Sequence, residues 1–179
     1  MKSLFLPLLV GFSLAATTLS FAEDKPVTEK EKQVKVTYVA PEKFTDFNTS
    51  DFVEASAKDL KYLTDLFTAH IEAQARKCLG EGERLEITFK DIDLAGRFEP
   101  ERGPNWQNVR IYRDITYPRM VLTFKLYGSD GQVRAEGERK LIDMNYNMNL
   151  YPPTADPEYR HDKALLTDWM RSELKKSKN

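Results

Sequence analysis

Between Val34 and Tyr38 apolar and polar residues alternate, Val34, Val36 and Tyr38 against Lys35 and Thr37, and Pro41 ends the run. A period of two sends successive side chains to opposite faces, so this stretch predicts a short strand. The period then changes. Val53, Leu60, Leu63, Phe67, Ile71 and Cys78 recur at the spacing of one helix face, and Asp51 with Glu54 matches a capping box at its start. Gly80 and Gly82 supply the stop, because glycine tolerates the left-handed conformation that follows a last helical turn. From Leu85 the period returns to two with Leu85, Ile87 and Phe89, but Ile92 and Leu94 fall on the opposite parity. A bulge near Lys90-Asp91 restores them to the same core face.

Ala95 to Asn108 contains two prolines and two glycines and reads as a long loop, followed by a short strand at Val109 and Ile111. Met120, Leu122, Phe124 and Leu126 form the strongest strand pattern. Gly128-Ser129-Asp130-Gly131 turns it into an antiparallel return over Gln132 to Asp143, with Arg134, Glu136, Glu138 and Lys140 on one outward face. After the proline-rich Tyr151 to Pro157, the segment Asp156-Pro157-Glu158 suits a helix start, and Leu165, Leu166, Trp169, Met170 and Leu174 give that helix its apolar stripe. The expected fold class is α+β over residues 34–176: an antiparallel sheet of about four strands with both helices packed on one face, in the order β-α-β-β-β-α, without βαβ alternation.

The N-terminus carries a different signal. Lys2, an apolar stretch from Leu4 to Leu14 and then Ser20-Phe21-Ala22 make a secretory signal peptide over residues 1–22, with cleavage before Glu23. The apolar stretch is shorter than the roughly 20 residues that span a bilayer, so cleavage is favoured over an anchor and leaves no transmembrane span. Residues 23–33 are charged, include Pro26 and read as a flexible leader.

Charge and cysteine content narrow the function classes. With 27 Lys+Arg against 28 Asp+Glu the formal net charge is −1, so no general cationic field exists to hold nucleic acid. One cysteine and two histidines are too few for a disulfide scaffold or a thiolate zinc site. In an oxidising compartment the single Cys78 is expected to be buried and inert.

Four segments carry a resemblance: Asp91-Ile92-Asp93-Leu94-Ala95-Gly96 with Phe98-Glu99-Pro100, Arg110 to Asp114 with Pro118-Arg119, Asp143-Met144-Asn145-Tyr146, and Lys163-Ala164-Leu165-Leu166 with Asp168-Trp169. In that order they resemble the bacterial secreted domain-of-unknown-function family 3016. The resemblance runs from about Val34 to Leu174. It implies a small exported Gram-negative protein of the periplasm and brings no activity, cofactor or catalytic residue with it.

The densest set of functional side chains lies in and beside the long loop: Arg97, Glu99, Arg102, Trp106, Arg110, Arg113, Asp114 and Arg119. Arginines outnumber acids across this stretch, guanidinium forks match carboxylates and phosphates, and an indole stacks on planar ligands. One reading is a binding surface for an anionic envelope ligand or an acidic protein partner. The other is that Arg97, Glu99, Arg113 and Asp114 pair internally to hold the loop on the sheet, with Trp106 as a packing plug. Asp91 and Asp93, two apart on one strand, are the candidates for a carboxylate-based hydrolase, which needs two acids facing one bond. Neither His70 nor His161 has a partner spaced for metal or triad chemistry, and no cofactor or metal motif is present. A structural homo-oligomer joined at the first strand's edge is a further alternative.

Overall fold

The structure, a computed structural model, describes residues 33–50, 55–148 and 157–176. The signal peptide, the leader up to residue 32, the Asp51–Glu54 capping box and the Asp156 cap lie outside the described residues. Strand β1 (Val34–Tyr38) precedes helix α1 (Ala57–Cys78) and the ten-residue strand β2 (Arg84–Asp93). Two-residue strands β3 (Arg97–Phe98) and β4 (Arg110–Ile111) follow, then the hairpin β5 (Arg119–Tyr127) and β6 (Val133–Ile142), and helix α2 (Arg160–Lys176).

The four long strands form one sheet in the order β1-β2-β5-β6. β2, β5 and β6 pair antiparallel as their patterns predict, but β1 runs parallel to β2 with Tyr38 beside Phe89. This corrects the all-antiparallel expectation: α1 is the crossover that a parallel pair requires, and a unit of the βαβ kind is present after all. Tyr38 explains how β1 is held. Its ring stacks on Phe89 at 5.2 Å, and its hydroxyl lies 3.2 Å from the Thr64 carbonyl and 3.1 Å from Thr68 Oγ1, on α1.

Both helices cover the same sheet face. Leu63, Phe67, Ile71 and Ala75 of α1 and Leu165, Leu166, Trp169, Met170 and Leu174 of α2 join Leu85, Ile87, Phe89, Met120, Leu122, Phe124 and Leu126 in one core. Each of the leucine, isoleucine, phenylalanine and methionine side chains contributes about 1.5–3 kcal/mol on burial, which outweighs the modest helix propensity of either segment. The register of β2 against β5 shifts between Phe89 and Asp91, and Ile92 and Leu94 are buried beyond it, as the change of parity predicts. The opposite face is left to Lys90, Lys125, Glu136 and Glu138, paired across strands at 2.6 Å and 3.1 Å.

Helix boundaries depart from the sequence expectation at the start. Ser56 caps α1, its Oγ accepting the Asp59 N–H at 3.2 Å, five residues after the predicted cap Asp51. Cys78 is half-buried against the core rather than fully buried, because it closes the last turn at the helix end. Among the described residues no helix is long and apolar enough to cross a membrane.

Candidate functional site

Beyond the bulge, β2 carries Asp93 to the end of the sheet, where the chain leaves it through Leu94, Ala95 and Gly96. Gly96 adopts φ +79°, and its N–H donates to the Thr116 carbonyl at 2.8 Å. The predicted loop is therefore not structureless. Arg97 pairs with Ile111 and Phe98 with Arg110 in a small antiparallel ribbon, and one-turn 3-10 helices at Pro100–Arg102 and Pro104–Trp106 fill the excursion between. The prolines that exclude a central strand start these turns, since a fixed φ suits a first helical position.

Ion pairs fasten this lobe to the sheet. Asp46 lies beside Asp93 in an isolated bridge, its N–H donating to the Ile92 carbonyl at 3.0 Å while its own carbonyl accepts from Leu94 at 3.1 Å. Two adjoining carboxylates repel unless cations separate them, and three guanidinium groups do so. Arg110 donates from Nη1 and Nη2 to the two Asp46 oxygens at 2.7 Å and 3.1 Å. Arg97 bridges the acids, with Nη1 2.8 Å from Asp46 and Nη2 2.6 Å from Asp93. Arg119 completes the set, Nε donating to Asp93 Oδ2 at 2.8 Å and Nη2 to the same oxygen. Burial works against the Arg110 charge, but Asp46, with smaller help from Asp162 and Tyr159, offsets it and raises the guanidinium above its ordinary range.

A second group forms further out. Glu99 accepts from Arg113 Nε at 2.6 Å and Nη2 at 2.8 Å, and from Arg102 Nε. Hydrogen bonds from Arg113, then Arg102, hold the Glu99 carboxyl well below the usual range, at about 2. The Arg102 guanidinium lies 5.5 Å from the Trp106 ring centroid, and Trp106 itself is half-exposed rather than a buried plug. Asp114 stands apart from both groups, accepting from Asn147 Nδ2 at 2.8 Å.

The network is polarised. The Asp93, Asp46 and Glu99 side chains are 2%, 9% and 14% exposed, whereas Arg97, Arg102, Arg113 and Arg119 are 37%, 40%, 47% and 48% exposed. Only Arg110 among these arginines is buried, so it cannot serve as an exposed contact. The excess of arginine read along the stretch is cancelled by Asp46 and Asp93 from outside it. What survives is orientation, acids inward and guanidinium groups outward.

A family model described as a protein of unknown function, DUF3016, matches residues 32–172, from just before β1 into α2. The chain belongs to that family. No curated protein and no solved structure matches it. Three of the segments that suggested this membership meet at the root of the DUF3016 lobe: Asp93 pairs with Arg119, and the Tyr146 hydroxyl donates to the Arg113 carbonyl at 2.8 Å.

The other sequence candidates in the DUF3016 chain have structural partners. Asp91 accepts the Thr45 N–H at 2.7 Å and its hydroxyl at 2.8 Å, while Asp93 is enclosed by Arg97 and Arg119. Each acid thus faces its own protein donors and not a shared opening. His70 Nε2 lies 2.9 Å from Thr167 Oγ1 and 3.0 Å from the Lys163 carbonyl, joining the helices. Among the described residues no group of three or more His, Cys, Asp or Glu is placed to hold a metal ion. Asp46 and Asp162 escaped the sequence reading. Asp46 sits in a short turn between Phe44 and Phe47 with no periodic or motif signal, and Asp162 is a single acid in a helical first turn.

Proposed function

We propose that this DUF3016 protein is an exported, non-enzymatic binding module of the cell envelope. It takes an anionic envelope ligand or an acidic protein partner on the outward face of the β3–β4 lobe. The observation that carries this reading is the polarity of the ion-pair network: its carboxylates are turned inward and Arg102, Arg113 and Arg119 are turned partly to solvent, with the Trp106 indole alongside. Guanidinium groups already fixed in place lose little freedom when an anion arrives, which favours recognition. Placement in the periplasm rests on the N-terminal pattern of Lys2, Leu4 to Leu14 and Ser20-Phe21-Ala22.

The test is retention of envelope material by the full exported chain, comparing wild type with Arg102→Glu combined with Arg113→Glu. Both residues lie outside the ties to Asp46 and Asp93 but hold Glu99, so Arg102→Gln combined with Arg113→Gln, which removes the charges without adding acids beside Glu99, is run alongside with circular dichroism as the check on the fold. Retention should be lost in both variants; retention equal to that of wild type rejects the reading. Terminal sequencing of the purified periplasmic protein should begin at Glu23, and a start at Met1 rejects the export step.

A further inference from the structure

Among the described residues the sheet ends on β1 at one side and on β6 at the other. β1 has 5 residues and β6 has 10, so β6 presents the longer edge. The hairpin fixes which of its backbone groups are used. The Asp143 N–H donates to the Pro118 carbonyl, and the register sets Leu141 against Met120, Arg139 against Leu122, Gly137 against Phe124 and Ala135 against Leu126. Bonded and non-bonded pairs alternate in an antiparallel ladder, so these residues direct their backbone groups to β5. Arg134, Glu136, Glu138, Lys140 and Ile142 therefore turn their N–H and C=O groups away from the sheet, and all of them are exposed.

Such an edge is a template for another strand, and charges along it normally discourage pairing. Here the signs are mixed, and their order matters. A second β6 laid antiparallel about a twofold axis at Glu138 pairs every outward-facing residue: Arg134 with Ile142, Glu136 with Lys140, and Glu138 with its own copy. The Glu136–Lys140 contact is made twice. Lys140 has no ion pair of its own among the described residues, whereas Arg134 is held by Glu83 at 2.8 Å. The two Glu138 carboxylates at the axis each keep Lys90 of their own chain at 2.6 Å, which offsets their repulsion. On the helix side Ala135 faces Leu141 and Gly137 faces Arg139, so bulk on one copy meets space on the other. The Arg134 stem covers Ile142, which is 48% exposed in the single chain. Moving the axis to Gly137 sets Arg134 against Lys140 and Glu136 against Glu138; moving it to Arg139 sets that residue against itself and leaves Arg134 unpaired.

We propose that the chain forms a twofold dimer through β6, with Glu138 at the axis and the two sheets continuous. The helices of both copies then cover the same face, and the antiparallel join sends the two β3–β4 lobes to opposite ends. The dimer rests on the sheet edge alone and holds whatever the lobe binds.

Sedimentation equilibrium of the intact chain across a range of concentrations should show a monomer–dimer equilibrium. Lys140→Glu, which sets acid against acid twice, should raise the dissociation constant at least about tenfold. Oxidation of Glu138→Cys should join two chains through residue 138, because facing residues of a bonded antiparallel pair lie about 5.5 Å apart at Cα, within disulfide reach. Glu136→Cys should not join, since the two copies of residue 136 lie roughly 13 Å apart along the strands. Mass spectrometry of the joined peptides separates these links from any through Cys78. A monomer at every concentration overturns the proposal, as does a dimer indifferent to Lys140→Glu, for instance one through β1. A link at residue 136 in place of 138 overturns it too. If Lys140→Glu fails to fold, the two cysteine variants decide.

Discussion

Arg110 and Asp46 meet end to end, two guanidinium nitrogens on two carboxylate oxygens at 2.7 Å and 3.1 Å, with both side chains buried. Arg110 also covers the Phe98 ring at 4.6 Å and donates to the Gly96 and Asn48 carbonyls. Truncating one partner of a buried pair leaves the other charge uncompensated. Arg110→Ala should therefore cost about 3–5 kcal/mol in urea unfolding. An unchanged midpoint would show that the pair does not hold the lobe.

Gly96 is the turn on which the lobe leaves the sheet. A Cβ there would meet the Ile111 carbonyl oxygen at 2.8 Å, which is backbone and cannot rotate away, and φ +79° is itself unfavourable for any L side chain. Gly96→Ala should cost at least about 1–2 kcal/mol from the dihedral alone. The loss should appear as faster exchange in β3 and β4 with α1 unaffected; uniform exchange rates across the chain would contradict it.

Glu99 sets an acid limit on the outer part of the lobe. Its carboxyl, at about 2 in the folded state against an ordinary 4.5, favours folding fully above 4.5, and that contribution disappears as pH falls through 2. Acid unfolding followed by circular dichroism should show a shallower decline between those limits for Glu99→Gln than for wild type. Superimposable acid limbs would mean that Arg102 and Arg113 do not hold Glu99 in solution.

Phe67 is fully buried at the middle of α1, its ring 5.9 Å from Phe47 and 6.0 Å from Tyr159. It joins the helix to the segment that carries Asp46 and to the start of α2. Phe67→Ala should cost about 3–5 kcal/mol, the range for emptying a large aromatic site. Phe67→Leu should cost less, because more of the volume remains. Equal losses for the two variants would locate the effect elsewhere.

Periodicity made the elements and the core legible. The stripe of α1, the alternation of β5, the β5–β6 turn and the parity change at Lys90-Asp91 are local features, because a helix or strand imposes its repeat on the residues within it. The direction of β1 was not local. Five alternating residues pair either way, and α1 packing across the sheet face made the parallel choice. The arginine-rich stretch likewise announced that guanidinium groups would matter, but not which acids they would meet. Asp46 lies far back in the chain from Arg97 and Arg110, and the bridge that sets it beside Asp93 is made only when the strand-like segment after β1 reaches the end of β2. Patterning along a chain records which side of an element is buried. Ion-pair partners and the direction charged groups face depend on distances through space, and those exist only once the tertiary fold has formed.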